Sequence, residues 1–181
     1  EKGRIAGLLL NAPFFDLNQN KFEKCITYFV SKIMSKIAIY SKTNGALSPI
    51  YAKSIHKDFY GEWDFNINWK PIKGFPTYFK WIVAIIKAQK KLEQSHITVP
   101  ILILHSSDSI RLSTFSKEAM SKDIVLNIQD MKNIGATLGK KVSFLKIKNA
   151  QHDVFLSEKK VRATAFDQMF SWLSTIAVKK E

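Results

Sequence analysis

Two side chains in this 181-residue chain stand where proton-transfer chemistry can be done, a histidine and an aspartate in its C-terminal part. His152 lies in Gln151-His152-Asp153, a short turn after an apolar run and just before an amphipathic stretch. An imidazole in a strand-to-helix turn can reach over a sheet edge and act as a general base near neutral pH. Asp123, in Asp123-Ile124-Val125-Leu126, lies upstream, with one helical and one strand-like segment between it and His152. That order puts an acid and a histidine at neighbouring strand ends, where the carboxylate can hold the imidazole tautomer and stabilise the imidazolium. Asp108 is the rival acid, because it follows its strand more directly. A plain structural role for Asp123, an acid at the positive end of a helix, competes with the catalytic one.

Other chemistries find less support. His56, His96, His105 and His152 are scattered, with no HxH, HExxH or CxxC spacing, so no metal site is expected. No glycine-rich phosphate loop is present, and no cofactor is implied. No GxSxG elbow is present either, so the chain offers no serine in the tight turn that exposes a nucleophile. The single cysteine, Cys25, excludes an internal disulfide. Its apolar helical position predicts a small buried side chain rather than a reactive thiol, which is compatible with a reducing cytoplasm. The formal charge of +13 invites a nucleic-acid or anionic-membrane reading. The lysines, however, are spread along the whole length without a dense basic block, and no nucleic-acid partner is expected.

The elements that must position His152 and Asp123 follow from hydrophobic periodicity. Residues 5–12, bounded by Gly3 and Pro13, form a continuous apolar run that fits a strand buried on both faces. The residues before it, Glu1 to Arg4, form no signal-peptide core with it. Residues 21–40 carry Phe22, Cys25, Ile26, Phe29, Val30, Ile33, Met34 and Ile37 at helical spacing. Asn20 is a candidate N-cap, and the lysines line a solvated face. Residues 41–76 are irregular and aromatic-rich, and loops of that length are usually functional. Helical pattern resumes over 77–94. Strands are predicted over 99–105 and 142–147, and helices over 128–138 and 161–177. The last helix carries Phe166, Met169, Phe170, Leu173 and Ile176 on one face. Alternating strands and helices imply an α/β architecture with a mostly parallel sheet. Three strands, each apolar on both faces, imply helices on both sides and a sheet that continues beyond these strands.

Several segments together resemble one family. These are Leu8-Leu9-Leu10-Asn11-Ala12-Pro13-Phe14-Phe15-Asp16, Ser54-Ile55-His56-Lys57-Asp58, Gly61-Glu62-Trp63-Asp64-Phe65, Trp69-Lys70-Pro71 and Gly74-Phe75-Pro76. To them are added Val99-Pro100-Ile101-Leu102-Ile103-Leu104-His105-Ser106, Asp123-Ile124-Val125-Leu126-Asn127 and Gln151-His152-Asp153. The chain resembles the C-terminal portion of bacterial α/β-hydrolases of the serine aminopeptidase, monoacylglycerol lipase and lysophospholipase-like group. The resemblance implies residues 1–41 as a core strand and helix, 42–91 as a cap insertion, and 92–181 as the C-terminal core. It implies His152 as the catalytic base, and Asp123 rather than Asp108 as the acid. His56, Trp63 and Trp69 become candidate lining of a substrate pocket in the cap. The substrate would be a small acyl ester or lipid. The nucleophile and oxyanion hole would come from an N-terminal half of the same fold, so this chain alone is expected to be inactive. A truncated hydrolase serving as a non-catalytic interaction module is the alternative, and basic docking on anionic lipid a third. Exposed sheet edge and apolar surface would then favour a homo-oligomer.

Overall fold

Three short apolar runs make the sheet: β1 (Leu8–Asn11), β2 (Ile101–Ser106) and β3 (Val142–Ile147). All pair in parallel in the order β1-β2-β3, with Leu8 opposite Ile101 and Ile101 opposite Val142. This is a computed structural model, and it describes residues 5–43 and 48–177; the Glu1 to Arg4 segment read above lies outside the described residues. β2 is the central strand and is buried along its whole length, which is why it reads as an unbroken apolar run instead of an alternating one.

Helices cover both faces of the sheet. On one face Leu102, Leu104 and Ile147 pack with Ala150, Val154 and Ala165, joined by Val161, Met169 and Trp172 of α5 (Lys159–Ala177). On the other, Ile101 and Ile103 pack with Phe15 and Leu138, joined by Leu92 of α3 (Phe79–Glu93) and Ile134 of α4 (Ile128–Gly135). Each fully buried Leu or Ile here contributes roughly 1.5–3 kcal/mol relative to exposure. The α5 face differs from its expected stripe. Val161, Ala165, Met169 and Trp172 meet the core, whereas Phe166 and Phe170 are exposed at its rim.

The long connection from β1 to β2 carries α1 (Lys21–Ile37), α2 (Pro49–Ile55) and α3. Asn20 caps α1 in a full capping box. Its side chain accepts from the Glu23 amide at 2.8 Å, and the Glu23 carboxylate accepts from the Asn20 amide at 2.8 Å. The orientation of α1 corrects the sequence reading. Ser31, not the apolar stripe, is its buried residue, and α1 packs along α3. Phe22, Ile26, Phe29, Val30, Ile33 and Ile37 form an exposed stripe, with Phe22 at 75%, Phe29 at 63% and Ile37 at 76% exposure. Cys25 lies beside them and is exposed rather than buried. The physical reason is layering: a helix lying outside another helix meets the fold with one narrow face.

The irregular stretch between α1 and α3 has its ends tied together. Lys42 bridges Tyr78 in antiparallel fashion, and the Thr43 amide donates to the Thr77 carbonyl at 2.7 Å. Within it the chain folds back tightly at Gly61, whose amide donates to the His56 carbonyl at 3.1 Å. A Cβ at that position would lie 2.1 Å from the Ile55 backbone carbonyl carbon, so only glycine fits.

Candidate active site at the carboxyl ends of the strands

The three strands end together, and each end contributes to one turn. β3 runs through Lys148 and Asn149 into Gln151-His152-Asp153. Asn149 has φ 59°, a left-handed conformation that asparagine tolerates better than most residues. The Ser106 hydroxyl at the end of β2 donates to the Ala150 carbonyl at 2.7 Å. Asn11 at the end of β1 donates to Asp153 Oδ1 at 2.5 Å, and its carbonyl oxygen accepts from the Val154 amide at 3.2 Å. The Gln151 amide donates to the Ser157 hydroxyl at 2.9 Å. The backbone around His152 is thereby fixed to every strand of the sheet.

Asp123 reaches this turn through the loop after β2. Its backbone is zipped to the strand exit: the Asp123 amide donates to the Asp108 carbonyl at 2.9 Å, and the Ile110 amide to the Asp123 carbonyl at 2.9 Å. The carboxylate is fully buried. Oδ1 accepts from the Val125 and Leu126 amides, both at 2.8 Å, and Oδ2 faces His152 Nδ1 at 2.8 Å. All the acceptor demand of a buried carboxylate is met, which is the condition for keeping one in the interior. A carboxylate only accepts, so Nδ1 of His152 carries a proton, and in the neutral imidazole the lone pair is on Nε2. The imidazole is 20% exposed, and no hydrogen bond to Nε2 is present among the described residues.

Asp108 does not join this pair. Its carboxylate is exposed and accepts from the Ser107 hydroxyl at 2.7 Å, while its backbone carbonyl anchors Asp123. The structure therefore brings together Asp123 and His152 and gives Asp108 a backbone role. His56 is buried at the end of α2. Its Nε2 faces the Phe65 carbonyl at 3.1 Å, and Nδ1 accepts from the Asp58 amide at 3.1 Å. Trp63 donates its indole N–H to the Leu156 carbonyl at 2.8 Å and stacks under the Arg162 guanidinium, 4.8 Å from its ring centre. Trp69 is 82% exposed. No hydrogen bond or ring contact among the described residues joins these three to His152 or Asp123. No group of three His, Cys, Asp or Glu side chains that could hold a metal ion occurs among the described residues.

Sequence reading missed Tyr51. It projects from α2, and its ring meets the His152 ring edge-on, with centroids 5.4 Å apart and planes at 81°. Burial, then the Asp153 carboxylate, pushes its hydroxyl well above the usual phenol range, against the pull of a hydrogen bond from the Asp153 backbone. Tyr51 is thus a neutral phenol beside the histidine. The one sequence signal was its place three residues before the Ser54-Ile55-His56 segment.

Neither a protein-family model nor a curated protein sequence matches the chain. Solved structures do. A monoacylglycerol lipase from Paleococcus ferrophilus superposes with a TM-score of 0.64 at 14% identity, over 96% of this chain and 60% of the lipase. A soluble variant of the monoglyceride lipase from Saccharomyces cerevisiae, solved with a substrate analogue, superposes with a TM-score of 0.58 at 14% identity, over 97% of this chain and 55% of that one. The fold is that of an α/β-hydrolase. The chain spans a little over half the length of these lipases and corresponds to a portion of the α/β-hydrolase fold. In any open parallel sheet the functional edge lies beyond the carboxyl ends of the strands, and there this α/β-hydrolase portion carries Asn11, Ser106, Asp123 and His152. No helix among the described residues is long and apolar enough to cross a membrane.

Proposed function

We propose that this chain supplies the acid and base of a serine carboxylic-ester hydrolase acting on acyl esters of the monoacylglycerol or lysophospholipid type. The observation that carries this reading is the pair itself. A fully buried, fully hydrogen-bonded Asp123 holds Nδ1 of His152 at 2.8 Å, and Nε2 is left unpaired beyond the strand ends. In this role His152 Nε2 takes the proton of an attacking serine hydroxyl as the oxygen bonds to the ester carbonyl. It returns that proton to the leaving alcohol as the tetrahedral intermediate collapses, and the cycle repeats with water. Asp123 keeps the proton on Nδ1 and stabilises the transient imidazolium.

The serine and the oxyanion-hole donors would come from the rest of the α/β-hydrolase fold, which makes the N-terminal half the natural partner of this chain. Of the cap residues, His56 and Trp63 spend their polar atoms on the fold, so Trp69 is the better candidate for contact with an acyl chain. The test is hydrolysis of short and medium p-nitrophenyl esters by this chain and by the full reading frame that contains it. The expected result is activity only in the longer protein, lost in His152→Ala and Asp123→Asn. Activity of this chain alone would place the nucleophile within it. Inactivity of both proteins would favour an interaction module.

A further inference from the structure

The site holds one more side chain than the acid–base pair needs, and that chain comes from the cap. α2 lies against the histidine turn, and several contacts fasten it there. In α2 itself the Ser54 carbonyl accepts from Gln151 Nε2 at 3.3 Å, and in the segment that follows it Trp63 binds the Leu156 carbonyl and Glu62 pairs with Arg162 at 2.8 Å. Tyr51 is the member of this set that touches the imidazole.

We propose that Tyr51 is a positioning residue for His152: its ring, delivered by α2, holds the imidazole against Asp123. The proposal rests on the hydrolase reading of the Asp123–His152 pair. The geometry supplies the reason. A single hydrogen bond from Nδ1 fixes one point of a ring that can still turn toward solvent about its side-chain torsions, and the ring is 20% exposed. An edge-on aromatic neighbour at 5.4 Å closes that swing. The Lys70 ammonium lies 5.7 Å over the Tyr51 ring. With its hydroxyl kept protonated, Tyr51 adds no negative charge beside the pair. The cap is thus part of what orients the base, and a cap displaced from the histidine turn would release His152.

Proton NMR on this chain tests the idea without needing activity. The signal of His152 Nδ1–H and its exchange with water are followed in the wild type and in Tyr51→Phe, Tyr51→Leu and Tyr51→Ala. The Trp63 indole proton serves as an internal reference for the intact cap. Tyr51→Phe keeps the ring and is expected to match the wild type. Tyr51→Leu and Tyr51→Ala are expected to speed Nδ1–H exchange by about two- to twelvefold, the range a lost aromatic pair represents, with the Trp63 signal unmoved. Tyr51→Leu preserves bulk and carries the test should Tyr51→Ala fold poorly. Unchanged exchange in Tyr51→Leu and Tyr51→Ala, or equal acceleration in Tyr51→Phe, would overturn the proposal. Asp123→Asn separates the two levels. If it abolishes the signal while the Tyr51 variants do nothing, Tyr51 fails and the hydrolase reading stands. If it leaves the signal intact, the pair fails and the hydrolase reading fails with it.

Discussion

At the scale of the residue, the Asp123–His152 contact makes a sharp distinction between charge and shape. Asp123→Asn keeps the shape, but an amide that turns its N–H₂ toward Nδ1 forces the proton onto Nε2, where it blocks base chemistry. Under the proposed hydrolase reading, kcat of the longer protein is expected to fall by about 10⁴-fold with little change in KM, measured on a p-nitrophenyl ester. His105 gives a second residue-scale prediction. It is fully buried in β2, Nδ1 bonds the Ser106 carbonyl at 2.7 Å, and Nε2 has no hydrogen-bond partner among the described residues. Burial, the largest cause, holds its pKa below the usual value of 6.5, and the neighbouring Lys132 and Lys146 add to the effect. Above pH 6.5 folded and unfolded chains both carry it neutral, and its contribution is fully present. As pH falls below that, the unfolded chain takes up a proton that the folded one refuses, and stability is lost until the folded imidazole itself protonates. Urea midpoints at pH 7.5 and pH 5 are expected to separate less in His105→Leu than in the wild type. The pair was legible in the sequence because the order strand, acid, helix, strand, histidine leaves little freedom in where the two ends meet. Tyr51 was not legible, since its contact with His152 joins residues about a hundred positions apart through an irregular segment with no periodicity to read.

At the scale of the element, termini and turns carry the local determinants. Asn20 was legible as an N-cap before an apolar helical stretch, and the structure adds the reciprocal bond from Glu23. Asn20→Ala removes the acceptor for the Glu23 amide and is expected to cost α1 about 1 kcal/mol. Because α1 packs along α3 rather than into the sheet, the loss should appear first as about fivefold faster hydrogen exchange at the start of α1. Faster exchange throughout β2 instead would mean that α1 and the sheet unfold as one unit. Gly61→Ala probes the segment after α2 in the same way. The added Cβ would strike the Ile55 backbone, which must move, and Ile55 sits between Ser54, which accepts from Gln151 of the histidine turn, and His56, which is bonded to the Phe65 carbonyl. The strands were readable as apolar runs of the right length. The face of α1 was not, because periodicity reveals that a helix has an apolar stripe and says nothing about what covers it.

At the scale of the whole molecule, two kinds of feature among the described residues can recruit a partner. Both outer strands of the sheet, β1 and β3, pair on one side only, and α1 presents its stripe of Phe22, Ile26, Phe29, Val30, Ile33 and Ile37 to solvent. A row of unpaired strand groups recruits other strands, and a contiguous apolar patch recruits other surfaces. The superposed lipases have a further 40–45% of chain that this one does not match. Against association stands the charge of +13, which keeps copies apart most strongly at low salt. The balance predicts self-association that strengthens as ionic strength rises, because screening removes the repulsion and leaves apolar burial intact. Sedimentation velocity of this chain across a salt series measures it directly. Phe22→Ser with Phe29→Ser removes the largest rings of the stripe without touching the core and separates the two features. If the double variant stays monomeric at high salt, the α1 stripe drives association. If it still associates, the outer sheet edges or other exposed rings such as Trp69 and Phe170 do. Weaker association at higher salt would point instead to attraction between unlike charges, and neither kind of feature would be needed to explain it.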